Sequence, residues 1–466
     1  MLLKESSMNI CVIGTGYVGL VGSAVFAGWG NQVVGVDVDQ AKLDMIQAGV
    51  MPIYEPGLPE LVAQGISRGN LRFTNSTAEG IKDAEVIFIC VGTPQGAAGN
   101  ADLSSVLQVA RQIGQSLDHY AVVVTKSTVP VGTNQRVKEI LQETTQQGVL
   151  FDVASCPEFL AQGTSVYDMD HPSRTVIGSD SPEAIELVAE VFKHLPAAII
   201  RCGFAEAELI KYASNALLAT KITFADSMAS LCDLVGADVV LVMDAVGKDP
   251  RIGAMFLRAG LGWGGSCFPK DVEALAYLAS QLSLPLPQLD GTRNTNRRVH
   301  KRFVHKISLY FDGKLDGKTF AVLGLAFKAG TDDTRESPAK KVIMRLRGAG
   351  ARVRAYDPKA TEKAILDLGT TSLEYCDNPY ETMAGADALV ILTDWPEFKG
   401  LDLSRVNSLL KNPVIFDGRN MLDPETVERE GFIYFAMGRP TNGQRIINGK
   451  DTTYVAKLTN GAGLNK

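Results

Sequence analysis

Short, unbroken apolar runs recur along the chain, and each closes on a glycine, a proline or a small polar residue. Met8–Ile13 is the first, and a run without polar alternation reads as a strand covered on both faces of a parallel sheet. Leu20–Trp29 follows as a small-residue helix, then Gln32–Val36 as a second strand ending on Asp37. Glu85–Val91, Ala121–Lys126 and Phe151–Cys156 repeat the strand pattern, with helical stretches between them. Strands alternating with helices predict an α/β domain with a mostly parallel sheet. Ala205–Val235 then keeps helical periodicity without a proline, long enough for a helix of ~45 Å. Beyond a linker at Leu309–Gly317 the strand–helix rhythm resumes. Lys318–Leu325, Arg352–Tyr356, Ala388–Leu392 and Val414–Phe416 read as strands, and Ser337–Gly348 as a helix. From Gly438 onward the pattern is polar and irregular, which predicts a loose tail.

The glycines sharpen this picture. Gly14-Thr15-Gly16-Tyr17-Val18-Gly19 sits directly between the first strand and the first helix, and Asp37 ends the next strand. This is the dinucleotide fingerprint in its required setting, with the pyrophosphate at a helix N-terminus and the acid on the ribose hydroxyls. A carboxylate there repels a 2′-phosphate, so NAD is expected rather than NADP. Arg352–Tyr356 closes on Asp357 in the same layout, but without the glycines. The predicted architecture is therefore an N-terminal Rossmann domain and a C-terminal Rossmann-like domain joined by a long central helix. Expected boundaries are 1–204, 205–308 and 309–450, with a tail at 451–466.

Composition narrows the function classes. A chain of 466 residues exceeds a single core. A net charge of −6 offers no basic surface for nucleic acid or anionic membrane. Seven cysteines, scattered and without CxxC or zinc-type spacing, suit a reduced cytoplasmic setting and imply no metal. Met1–Ser7 is short and polar, and no apolar run approaches ~20 residues, so neither a secretory signal nor a membrane span is expected.

One cysteine stands apart. Gly264-Gly265-Ser266-Cys267-Phe268-Pro269-Lys270-Asp271 precedes an apolar-periodic run from Val272 to Leu282, and Pro269 with Asp271 marks a helix start. The two glycines suit close approach of backbone to a ligand. A thiol beside the positive end of a helix dipole favours the thiolate, so Cys267 reads as a nucleophile rather than a small buried apolar residue. Lys211 and Asn215, four apart, share one face of the central helix. Arg251 and Arg258 precede the glycine-rich loop and suit a diphosphate. Thr93 and Thr128 follow strand ends, where ligands of open parallel sheets bind.

The cysteine octet, the fingerprint, Pro157-Glu158-Phe159-Leu160-Ala161-Gln162-Gly163 and the Glu208–Ala216 stretch together resemble the nucleotide-sugar dehydrogenases. The resemblance runs from about Met8 to about Arg419. It implies NAD at Gly14, Gly16, Tyr17, Val18, Gly19, Asp37, Lys42, Thr93, Thr128, Gln162, Lys270 and Arg335. It implies a nucleotide sugar at Glu158, Phe159, Leu160, Ala161 and Gln162, at Lys211 and Asn215, and along Phe256, Leu257, Arg258, Ala259, Gly260 and Gly264. Lys328 and Arg419 extend that set, and Arg251 reaches the sugar nucleotide from a partner subunit of a homodimer. Gln162 departs from the family, which carries a second glutamate at that position.

The implied reaction takes UDP-glucose to UDP-glucuronate, a polysaccharide precursor, in two NAD-dependent steps with Cys267 in the cleft between the two domains. Lys211 and Asn215 stabilise oxyanions, while Asp271, Glu158 and Thr128 manage water and protons. Sister substrates are GDP-mannose and UDP-N-acetylhexosamines. The latter are disfavoured by Ser266, where a histidine is typical, and GDP-mannose by Phe268, where leucine is common. A non-catalytic NAD-binding protein and a one-step hydroxyacid dehydrogenase on the same fold are the other readings. The first leaves the Lys211, Asn215, Cys267 and Asp271 set unexplained, and the second gives Cys267 no task.

Overall fold

A computed structural model describes residues 7–450. The chain forms two compact units. Among the described residues, one holds 7–215 together with Glu273–Leu284, and the other holds Ala216–Val272 and 285–450. The expected tail at 451–466 lies outside the described residues.

The first unit is built on an eight-stranded sheet. Its strands are β1 (Asn9–Ile13), β2 (Gln32–Val36), β3 (Leu71–Thr74), β4 (Val86–Ile89), β5 (Ala121–Thr125), β6 (Phe151–Ser155), β7 (Arg174–Gly178) and β8 (Ala198–Cys202). They lie in the order β3-β2-β1-β4-β5-β6-β7-β8, parallel except where β6 meets β7. Every residue of β4 and β5 is buried, which is why these strands read as continuous apolar runs. The order reverses between β1 and β4, and that switch point opens a ligand crevice beyond the strand C-termini. The first helix, Tyr17–Gly28, begins three residues earlier than the periodicity indicates, directly after Gly16. Two glycines explain the turn. Gly14 adopts φ +98°, and a Cβ on Gly19 would stand 1.8 Å from the Gly14 carbonyl oxygen.

The second unit carries a six-stranded parallel sheet of β9 (Thr319–Leu323), β10 (Arg352–Tyr356), β11 (Leu373–Tyr375), β12 (Ala388–Ile391), β13 (Val414–Asp417) and β14 (Ile433–Phe435). Its order, β11-β10-β9-β12-β13-β14, repeats that of the first six strands of the N-terminal sheet. The repeat extends to hydrogen bonds: the Gly324 N–H donates to Tyr356 O at 2.8 Å, as the Gly14 N–H donates to Val36 O at 2.7 Å. Asp357, however, accepts from the Leu325 and Ala326 N–H groups and from the Trp395 indole. An indole thus contacts this acid, whereas Thr15 and Lys42 contact Asp37 in the first sheet.

Two expectations are corrected here. The loose tail from Gly438 contains a helix, Asn442–Lys450, with Ile447 buried against the core. Asn442 anchors it by accepting from Tyr434 N at 2.8 Å and donating to Phe432 O at 2.8 Å, bonds that leave no periodicity in the sequence. The linker at Leu309–Gly317 is shorter than expected, because the helix Pro287–Tyr310 runs through its first two residues.

The central helix spans Phe204–Val235, 32 residues. Ala225 and Ala229 on it pack with Leu257, Ala259, Val239 and Met243. Among the described residues no helix is long and apolar enough to cross a membrane, and no cluster of metal-ligating side chains forms.

Candidate active site

In the first unit the fingerprint loop fits the diphosphate of a dinucleotide. The helix Tyr17–Gly28 has no acidic residue in its first turn, and a Cβ on Gly16 would meet no atom within 4 Å, leaving room above the helix N-terminus. Asp37 is buried, and its Oδ2 accepts from Thr15 N at 2.9 Å, Thr15 Oγ1 at 2.7 Å and Lys42 Nζ at 2.8 Å. Burial would raise this carboxyl, but the bonds from Lys42, Thr15 and Asp39 outweigh it and hold the group below its ordinary value. Asp37 therefore stays ionised at the end of β2. Lys42 is drawn onto it.

Three loops at the strand C-termini are tied to one another. Thr93 Oγ1 donates to Thr128 O at 2.9 Å, and Ser127 Oγ donates to Val91 O at 2.6 Å. Tyr17 Oη accepts from Gly163 N at 2.9 Å, joining the fingerprint to the segment that bears Gln162. Glu55 completes this tie. The turn at Ile53–Leu58 has no chemistry in its sequence, yet Glu55 is buried and accepts from Gly163 N and Ser165 N, each at 2.7 Å.

The central helix adds the next group. Lys211 Nζ lies 3.4 Å from Glu158 Oε1, and both residues are buried. The same ammonium stands 5.3 Å from the Phe159 ring centroid, and the Arg174 guanidinium stacks on that ring at 3.8 Å. Arg174 also donates to Ser214 Oγ at 3.1 Å. The backbone of Leu160 donates to Glu158 Oε2 at 2.6 Å, which fixes the carboxylate. Asn215 is buried one helical turn beyond Lys211. Glu208, one turn before it, accepts from Gly132 N, Asn134 N and Asn134 Nδ2 at 2.7–2.8 Å and so clamps the turn after Thr128. Arg174 has no signal in the sequence, and Glu208 marks only the edge of a matching stretch there, because their partners lie far away along the chain.

The second unit holds the cysteine. The helix Phe268–Gln281 starts one residue before Pro269, and the Cys267 carbonyl accepts from Asp271 N at 2.9 Å. Cys267 is thus the residue that caps the helix N-terminus, partly buried, with Ser266 Oγ 3.6 Å from its sulfur. Arg335 interacts favourably with Cys267, and its own guanidinium is held above its ordinary value first by the Asp333 carboxylate, then by that thiol. Asp271 is buried and receives Lys270 Nζ at 2.6 Å.

The glycines ahead of Cys267 also admit close packing that a Cβ would block. A Cβ on Gly264 would lie 2.2 Å from Glu336 O. Gly265, at φ +82°, would place one 2.9 Å from the Phe327 ring. Gly265 N donates to Arg335 O at 3.0 Å. The segment Phe327–Ser337 is therefore set directly against the cysteine loop. Lys328 extends from it with its ammonium 5.9 Å from the Phe327 ring centroid.

Upstream, Arg251 is exposed and forked onto Asp249 at 2.6 Å, and Arg258 is exposed. Phe256 takes φ +65°, costly for a bulky side chain, with its ring centroid 6.2 Å from that of Phe268. Leu257 and Ala259 are buried, and Gly260 N donates to Asp226 Oδ1 at 2.8 Å. Arg419 donates from Nε to Leu392 O at 2.7 Å and from Nη2 to Phe327 O at 2.8 Å.

Fold and residues define an NAD-linked dehydrogenase in which a dinucleotide domain is followed by a cysteine-bearing segment and a second α/β domain. Family models assign the particular group: the NAD binding domain of the UDP-glucose/GDP-mannose dehydrogenase family matches residues 8–196, its central domain 205–298 and its UDP binding domain 321–424. The chain belongs to the UDP-glucose/GDP-mannose dehydrogenase family. A UDP-glucose 6-dehydrogenase of Bacillus subtilis is 46% identical over 93% of both chains. The structure of a UDP-glucose dehydrogenase from Pyrobaculum islandicum has a TM-score of 0.87 at 38% identity, covering 94% of this chain and 99% of that one. A UDP-D-ManNAc dehydrogenase from Pyrococcus horikoshii has a TM-score of 0.82 at 30% identity, covering 93% and 100%.

Proposed function

We propose that this protein oxidises the C6 alcohol of UDP-glucose to the carboxylate of UDP-glucuronate, in the cytoplasm and as a homodimer. The observation that carries this reading is Cys267 at a helix N-terminus, in a chain whose relatives at 46% and 43% identity are UDP-glucose 6-dehydrogenases. Bound NAD supplies the hydride acceptor, and two equivalents serve each sugar. The chain's own residues do the rest. The C6 alcohol loses a hydride and a proton to give an aldehyde. The Cys267 thiolate adds to its carbonyl carbon, and the oxyanion is met by donors from Lys211 and Asn215. The oxyanion collapses as the second hydride leaves, and a thioester remains on Cys267. Water then adds with Glu158, Thr128 and Asp271 handling its protons, and the carboxylate departs as the thiol is restored. A nucleotide-sugar panel tests the substrate: NADH should form with UDP-glucose and not with GDP-mannose or UDP-N-acetylhexosamines. The opposite ranking would replace UDP-glucose in this reading.

Cofactor choice follows from Asp37. An acid at the end of β2 in this fingerprint is the ribose partner, so its ionised carboxylate would repel a 2′-phosphate, and two like charges about 4 Å apart cost about 4 kcal/mol at a surface-like dielectric. Lys42 offsets part of that cost. NADP should therefore support a kcat/KM about 100-fold below that of NAD. Equal efficiencies with the two would count against Asp37 as the determinant.

The homodimer is supported by apolar side chains on the central helix. Leu217, Phe224 and Leu231 recur every seventh position and are 63%, 48% and 50% exposed. Phe224→Glu combined with Leu231→Glu should convert dimer to monomer in sedimentation. A parent protein that sediments as a fully active monomer would end the proposal.

A further inference from the structure

Asp226 lies on the central helix and carries a side chain only 1% exposed. Its Oδ1 accepts from Gly260 N at 2.8 Å, while Oδ2 has no hydrogen-bond partner. A buried carboxyl oxygen without a donor is costly when charged. Burial accordingly pushes this carboxyl up to about 7, against the opposing pull of the Gly260 N–H and of the Arg419 charge.

The surroundings tie this group to the loop it holds. One turn earlier on the helix, Thr223 Oγ1 accepts from the Trp263 indole at 2.9 Å, so one helix face fixes the loop at both Gly260 and Trp263. A Cβ on Gly260 would lie 3.2 Å from Gly418 O and 3.7 Å from Arg419 Nη1. Gly260 therefore sits pressed between Asp226 and the turn that bears Arg419. The other charges nearby are engaged elsewhere. Asp417, on that turn, accepts from the Arg419, Met421 and Leu422 N–H groups and from Tyr434 Oη. From the helix Pro287–Tyr310, Arg302 donates to Ser230 O and Lys306 pairs with Asp233. The neighbouring helix Val239–Gly247 presents apolar Val239 and Met243. Arg419 is the cation whose charge reaches Asp226.

We propose that Asp226 is a positioning residue for the nucleotide sugar, holding Gly260 against the Arg419 turn when neutral and weakening sugar-nucleotide binding when it ionises. This rests on the reading above that Phe256–Gly260 and Arg419 receive UDP-glucose. An ionised Asp226, itself buried, competes with the diphosphate for the Arg419 charge and repels the diphosphate. Binding then draws a proton onto Asp226. Affinity is highest below neutral pH and falls as pH rises through the titration of this carboxyl.

Calorimetry of UDP-glucose binding without NAD tests this, run from about pH 6 to about pH 8.5 in buffers of different ionisation heat. The parent protein should take up a fraction of a proton near neutral pH, and its Kd should rise with pH toward the limit of about tenfold per unit for one linked proton. Asp226→Asn keeps the acceptor for Gly260 and stays neutral. It should bind with the parent's low-pH Kd throughout, and its proton uptake should be smaller by the parent's excess. Asp226→Ala removes the acceptor and should raise KM for UDP-glucose more than it lowers kcat. An Asn variant with the parent's proton uptake and pH dependence would overturn the inference. Parent protein that neither binds nor oxidises UDP-glucose would overturn the substrate reading instead, and this inference with it.

Discussion

Replacing Cys267 with serine should reduce complete turnover of UDP-glucose by at least about 1,000-fold, the scale on which an enzyme loses its covalent nucleophile. The physical grounds are local. The Cys267 carbonyl accepts the first bond of the helix Phe268–Gln281, so the side chain stands at the end where unpaired N–H groups and the helix dipole favour negative charge. Arg335, fixed by its fork on Asp333, adds a second positive influence. A thiol exploits both because it ionises readily, whereas a serine hydroxyl does not. An oxygen ester is also less labile than a thioester, so any acyl-enzyme formed by the serine variant should persist and be visible by mass spectrometry. The substitution removes no buried apolar volume, and the folded state should be retained. A serine variant turning over at a rate close to the parent's would remove Cys267 from the chemistry.

Lys211→Ala should lower kcat by about 100-fold or more while changing KM for UDP-glucose far less, the pattern of a donor used mainly in the transition state. Lys211 is buried beside Glu158 and over Phe159. Truncation leaves the Glu158 carboxylate buried without that partner, which costs stability as well as rate. Lys211→Met separates the two effects. It restores most of the packing over Phe159 and the thermal stability, yet should leave kcat low. Recovery of kcat together with stability in the methionine variant would show a structural lysine.

The sequence discloses features whose cause is local. Strands β4 and β5 are legible because every residue is buried, and the glycine fingerprint is legible because its turn and helix start are consecutive. Cys267 is legible for the same reason, since proline and acid just beyond it mark a helix start. Short strands escape. β11 and β14 have three residues each, and the edge strand β8 exposes most of its side chains. The supporting shell of the site escapes for a different reason, which is sequence distance. Glu55 bonds Ser165 across 110 residues, Glu208 bonds Asn134 across 74, and Asp226 bonds Gly260 across 34. Each of these is a buried carboxylate or carboxyl whose partner is a backbone N–H, and a backbone N–H leaves no mark in a sequence. The glycines at 264 and 265 show the converse. Their presence is visible, but their neighbours, Glu336 and Phe327, are known only from the fold.

The stoichiometry of reduced cofactor tests the central claim most directly. UDP-glucose in limiting amount, with excess NAD, should yield two NADH per sugar consumed, with UDP-glucuronate as the product and no free aldehyde released. One NADH per sugar, with an aldehyde or ketone sugar nucleotide accumulating, would contradict the covalent two-step oxidation and leave a single-step dehydrogenase on this fold.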